Sequence, residues 1–89
     1  MSEDARWLDG NAVAGLLAEV FGREMTAVRR RCPSCGTRSA VGAHRAYRGA
    51  GPVLRCPACG GPALRIAVLP DRHVVHLSGT WELPITDTE

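Results

Sequence analysis

Lysine is absent from this chain, and all 11 basic residues are arginine. Alanine and glycine are abundant, a bias that points to a GC-rich coding sequence, so the arginine count alone is no nucleic-acid signature. Aromatic residues are scarce too: two tryptophans, one tyrosine and one phenylalanine. Between residues 28 and 68 only Tyr47 offers a ring on which a base would stack. No apolar run approaches the roughly 20 residues that cross a bilayer. Met1 to Trp7 is acidic and polar, with no basic stretch ahead of an apolar one, so neither an anchor nor a secretory leader is expected. Carboxylates are few and most lie in or near the termini. No serine, histidine and carboxylate set has the spacing of a triad, and no glycine-rich loop leads into a helix to cradle phosphate. These absences predict a cytoplasmic chain that is not an enzyme.

Cysteine occurs four times and nowhere outside one doubled pattern. Arg31-Cys32-Pro33-Ser34-Cys35-Gly36 is repeated as Arg55-Cys56-Pro57-Ala58-Cys59-Gly60, with first cysteines 56 − 32 = 24 positions apart. Two Cys-x-x-Cys pairs at this separation fit a four-thiolate metal site. Cys32, Cys35, Cys56 and Cys59 are the predicted ligands of one Zn2+ per chain, with iron the less favoured ion. Each residue type has a reason. Pro33 and Pro57 preset φ for a tight turn, and Gly36 and Gly60 can take the positive φ that doubles the chain back. Amides freed in the turn can then point at sulfur. Four thiolates around a divalent cation carry −4 + 2 = −2, which cancels the formal +2 of the chain. Arg31 and Arg55, one step before each pair, are either counter-charges or ordinary solvated strand residues. A disulfide framework is the alternative for the cysteines; the missing leader and a reducing cytosol count against it. A redox Cys-x-x-Cys occurs once, at a helix start, rather than twice.

With 89 residues one domain is expected, with a small core that a metal would staple. Its segments are a tail and helix (1–24), a metal-binding part (25–69), C-terminal strands (70–85) and a loose tail (86–89). Asp9-Gly10-Asn11 offers caps for a helix from Asn11 to Phe21 that ends at Gly22. Val13, Leu16, Leu17, Val20 and Phe21 recur at helical spacing and form its buried stripe. Gly15, on the other side, suggests close approach of another backbone. From Met25 the period becomes strand-like. Met25 to Arg31 leads into the first knuckle, and Ser39 to Arg48 leads away from it. Gly49 to Pro52 is a turn. Val53 to Arg55 enters the second knuckle, and Ala63 to Leu69 leaves it with Leu64, Ile66 and Val68 on one face. His73 to Leu77 is a further strand, Ser78-Gly79 a turn, and Trp81, Leu83 and Ile85 alternate along a last strand. His73 and His76 point to opposite faces of theirs, and lone His44 in a strand is read as solvated or hydrogen-bonded.

Two cysteine hairpins that clasp one metal resemble the zinc ribbon, and the resemblance covers about Val28 to Val68. It implies a fold and no function. The longer pattern, with Leu8-Asp9-Gly10-Asn11-Ala12 opening a helix, Met25-Thr26, Tyr47 and Val53-Leu54-Arg55-Cys56, is similar to a family of short uncharacterised bacterial zinc-ribbon proteins with an N-terminal helix. The expected class is a small metal-stapled α+β domain: an N-terminal helix, two β-hairpins carrying the zinc knuckles, and further antiparallel strands. The expected role is an accessory module that binds a protein partner or a second copy of itself. Two alternatives stand beside it. One is nucleic-acid binding through Arg29, Arg30, Arg31, Arg38, Arg45, Arg48 and Arg55. The other is an iron electron carrier, or the partner of an oxidoreductase, since Cys-Pro-x-Cys-Gly also resembles the rubredoxin knuckle; rubredoxins, however, are usually acidic with an aromatic core.

Overall fold

A computed structural model describes residues 7–49 and 51–85. The predicted segments Met1 to Arg6 and Thr86 to Glu89 lie outside the described residues. Over these residues the chain is a small α+β structure with one N-terminal α-helix and two antiparallel sheets. The first sheet has the order β1 (Leu8–Asp9), β4 (Arg45–Tyr47), β5 (Val53–Arg55), β6 (Pro62–Val68), β7 (His73–Leu77). The second has the order β3 (Arg38–Ala40), β2 (Arg29–Arg31), β8 (Thr80–Glu82). No helix among the described residues is long and apolar enough to cross a membrane.

The helix starts differently from its sequence pattern. Gly10–Val13 is a 3-10 turn, capped by the Asp9 side chain accepting from the Asn11 amide, and α1 (Ala14–Phe21) follows. It ends at Gly22, whose φ of 71° is left-handed. Val13 and Leu17 are buried, and Leu16, Val20 and Phe21 pack on the same cluster as Leu54, Leu64 and Ile66. Gly15 does not carry a close approach, for a Cβ built there meets nothing within 4 Å. Gly10 does: a Cβ there would strike the Val41 carbonyl, so only glycine lets the 3-10 turn lie against the backbone of the second 3-10 turn, Val41–Ala43.

Three predicted strands are shortened or cut, each for a packing reason. Met25 and Val28 are buried in a turn closed by the Val28 amide on the Met25 carbonyl, so β2 begins only at Arg29. The expected strand from Ser39 to Arg48 is broken by the 3-10 turn at Val41–Ala43, which buries Val41 and passes the chain from one sheet to the other. The last strand is β8 alone. Trp81 is half-buried against the core, while Leu83 and Ile85 lie beyond the strand and are exposed. Val68, expected beside Leu64 and Ile66, is 51% exposed at the far end of β6.

Candidate metal centre

The repeated hexapeptides form two tight turns at the tips of hairpins β2–β3 and β5–β6. Each turn closes twice. The Gly36 amide donates to the Cys32 carbonyl and the Gly60 amide to the Cys56 carbonyl, both at 2.9 Å. The Cys32 amide donates to Thr37 at 2.9 Å and the Cys56 amide to Gly61 at 2.8 Å. Gly36 and Gly60 both stand at φ 79°, a left-handed conformation that other residues adopt at a cost. Arg31 and Arg55 reach across their own turns, donating to the carbonyls of Gly36 (3.2 Å) and Gly60 (3.1 Å). Both are therefore bracing residues of the knuckles.

Folding brings the four sulfurs within 4.8 Å of one another. Cys32 Sγ lies 3.6 Å from Cys59 Sγ and Cys35 Sγ 3.8 Å from Cys56 Sγ, so each knuckle's first cysteine faces the other's second. A disulfide needs about 2.05 Å. A tetrahedral ion with bonds of about 2.3 Å sets its sulfurs about 3.8 Å apart, and the cluster fits it. Cys32 and Cys56 form the buried half, Cys35 and Cys59 the exposed half.

Backbone amides already face the sulfurs. Ser34 N–H donates to Cys32 Sγ, Ala58 N–H to Cys56 Sγ and Gly61 N–H to Cys59 Sγ, each at 3.4 Å. The amides of Cys35 and Ser34 bring the Cys32 thiol down to about 6. Hydrogen bonding to Thr37 lowers Cys35. At Cys59 the Gly61 amide acts downward, but Cys32, desolvation, Cys35 and Cys56 outweigh it and push the thiol up to about 11. Metal binding to a set of thiols releases protons.

A buried hub joins the two knuckles. Arg30, counted among the exposed phosphate-binding candidates by its sequence position, is 1% exposed. Its place in β2 turns it inward, between exposed Arg29 and Arg31. Nε donates to the Ser78 carbonyl at 2.8 Å, and Nη2 to Ser78 Oγ at 3.0 Å and to the Pro62 carbonyl at 3.3 Å. Nη1 reaches His44 Nε2 at 3.4 Å. A guanidinium only donates, so His44 carries its proton on Nδ1 and donates to the Ala40 carbonyl at 2.9 Å. His44 is thus hydrogen-bonded, as one of its two expected readings had it, but it is buried rather than solvated and precedes β4 rather than lying in a strand. Burial lowers its pKa, the Ala40 carbonyl opposes this and Arg30 adds to it. The network ties the strand entering the first knuckle to the residue leaving the second. An arginine run gives no signal for it; only the alternation of β2, read together with the opposing core, would have found it.

The full length of this pattern matches DUF6510, a family of unknown function, over residues 2–88. The chain belongs to that family. No curated protein and no solved structure matches it. The DUF6510 match thus extends well beyond the knuckles at 31–36 and 55–60, taking in the helix and the C-terminal strands.

The other predicted residues are dispersed. Arg38 forms a salt bridge with Glu82, Arg45 lies over the Trp7 ring and donates to the Pro57 carbonyl, and Arg48 donates to Ala12. His73 and His76 both lie in β7 and neither belongs to the cysteine cluster.

Proposed function

We propose that this chain is a small structural-zinc domain of zinc-ribbon type, an accessory module and not an enzyme, in which Cys32, Cys35, Cys56 and Cys59 hold one Zn2+. The observation that carries the reading is the meeting of four sulfurs within 4.8 Å on two equivalent turns, with both pairs that cross between the knuckles at the separation a tetrahedral ion requires. Zinc is favoured over iron because neither knuckle carries an aromatic ring to shield a redox centre. The ion would supply cross-linking of two hairpins and no chemistry of its own. Protein purified from its own host is expected to be colourless and to contain about one zinc per chain. A red protein that bleaches on reduction and recovers in air would replace this reading with electron transfer.

The partner proposed is a second copy of the chain, bound along β7. Leu69 N–H donates to Arg72 and Ser78 N–H to Ala63 across the β6–β7 hairpin. Alternation then directs the backbone groups of Val74 and His76 at β6 and those of His73, Val75 and Leu77 at the open edge. That edge carries no proline and no formal charge, the usual guards against pairing. Val68 and Leu77, each 51% exposed, flank it on the core-facing side. Antiparallel pairing centred on Val75 opposite its own copy would satisfy all three residues. Val75→Pro removes an outward N–H and leaves the β6 ladder intact, so it should convert a dimer to a monomer in light scattering. A wild-type chain that stays monomeric at every concentration would remove the second copy.

A further inference from the structure

The outward face of the five-stranded sheet concentrates charge and rings that are far apart in sequence. Ala46, Leu54, Leu64 and Ile66 are buried on the inner face. Arg45, Tyr47, Val53, Arg55 and Arg65 alternate with them and face outward, while a register shift between β5 and β6 keeps Ala63 inside, and the register sets the outward residues side by side. Arg45 stands opposite Arg55, Tyr47 opposite Val53, Val53 opposite Arg65, and Arg65 opposite His76. Three arginines thus lie on adjacent strands spaced about 4.8 Å apart. Asp9 is the only carboxylate in the five strands; it stands opposite Arg45, with its side chain accepting from the Asn11 amide. Two of the arginines lie over aromatic rings, Arg45 at 5.1 Å from Trp7 and Arg55 at 5.9 Å from Tyr47. Scarce as rings are in this chain, two of its four flank this one patch.

From this arrangement we infer that the outer face of β4–β5–β6 binds single-stranded nucleic acid, with Arg45, Arg55 and Arg65 on phosphates and Tyr47 and Trp7 as stacking surfaces for bases. The charge is complementary to a polyanion, and the rings give a reason to prefer nucleic acid over an acidic polypeptide. A β-sheet face with rings suits splayed bases, whereas the one α-helix buries its apolar stripe in the core rather than offering itself to a major groove. Arg55 and Arg45 each use one N–H to brace a knuckle. A guanidinium has five, so each is held in place with further donors beyond the one that braces a knuckle. The inference replaces the triple-arginine run as the nucleic-acid candidate, because that run loses Arg30 to the interior. It rests on the proposed function only through the fold that the metal would hold.

The test is fluorescence anisotropy of the metal-replete full chain with a labelled oligothymidylate of about 15 nucleotides, repeated at rising salt. Zinc content is measured on the same samples. A zinc-free protein would sink the metal reading, and a zinc-replete protein that does not bind would sink this one. Three phosphate contacts predict that log K falls with log salt with a slope of about −2. Arg65, whose side chain braces neither knuckle, is the variant of choice: Arg65→Ala should weaken binding and make the slope shallower by about 0.7, and Arg65→Lys should restore it. Tyr47→Ala should weaken binding by about 5- to 100-fold through lost stacking. Arg29→Ala, on the other sheet, should change nothing. The proposal is overturned by no binding at low salt, by polyglutamate competing as well as the oligonucleotide, or by Arg29→Ala costing more than Arg65→Ala.

Discussion

Residues 31–36 and 55–60 trace the same turn twice, with matching amide-to-sulfur bonds, matching arginine braces and the same glycine φ of 79°. The strands leading from them part company. The first knuckle opens into β3, three residues long before a 3-10 turn, and the second into the seven-residue β6. Equivalent positions within the repeat also diverge: Arg30 in the first hairpin corresponds to Leu54 in the second, and both are fully buried. Leu54 joins the apolar cluster, while Arg30 satisfies carbonyls of a turn and of the other knuckle. The local turn is therefore a property of six residues, and the role of its strands is a property of what they face.

The comparison breaks most severely if one cysteine of the cluster is lost. Cys32→Ser and Cys56→Ser should behave alike, each giving poorly dispersed NMR spectra, because structural-zinc binding is worth about 10–16 kcal/mol in small peptides and becomes folding energy. A native-like spectrum of either variant in chelator would refute this.

The next effect separates the hairpins. Leu54→Ala should cost about 2–5 kcal/mol in denaturant unfolding as a cavity in the core. Arg30→Leu, which writes the second hairpin's residue into the first, should also destabilise, by about 1–3 kcal/mol for each buried acceptor left without a donor. A neutral or stabilising result would mean that the buried cation, rather than its hydrogen bonds, dominates at this site.

The smallest effect restores the symmetry. A Cβ on Gly36 or on Gly60 meets nothing within 4 Å, so alanine at either position should cost only the left-handed backbone, about 1–2 kcal/mol. Unequal costs from the two unfolding curves would show that the knuckles differ in strain despite equal geometry.

Much of this was legible in the residues alone. The doubled Cys-x-x-Cys pattern with its prolines and glycines determined the turns, because φ preferences and backbone bonds spanning four or five positions act within a few residues. The helical stripe ending at Gly22, the hairpin pairs and β7 were likewise local periodicities, read at 3.6 or at two residues per repeat. Tertiary structure alone decided the rest. Val41–Ala43 looks like strand by alternation but turns, because burying Val41 against the Gly10 turn outweighs continuing one sheet. Arg30 is indistinguishable from Arg29 and Arg31 as text, and becomes interior only because carbonyls from residues 62 and 78 arrive to meet it. Arg45, Arg55 and Arg65, spread over 65 − 45 = 20 positions, share one face only because the register of three strands aligns them. Sequence specifies what a residue can do over a turn; which partners arrive from forty residues away depends on how the sheets assemble, and that is where burial, charge and neighbours are set.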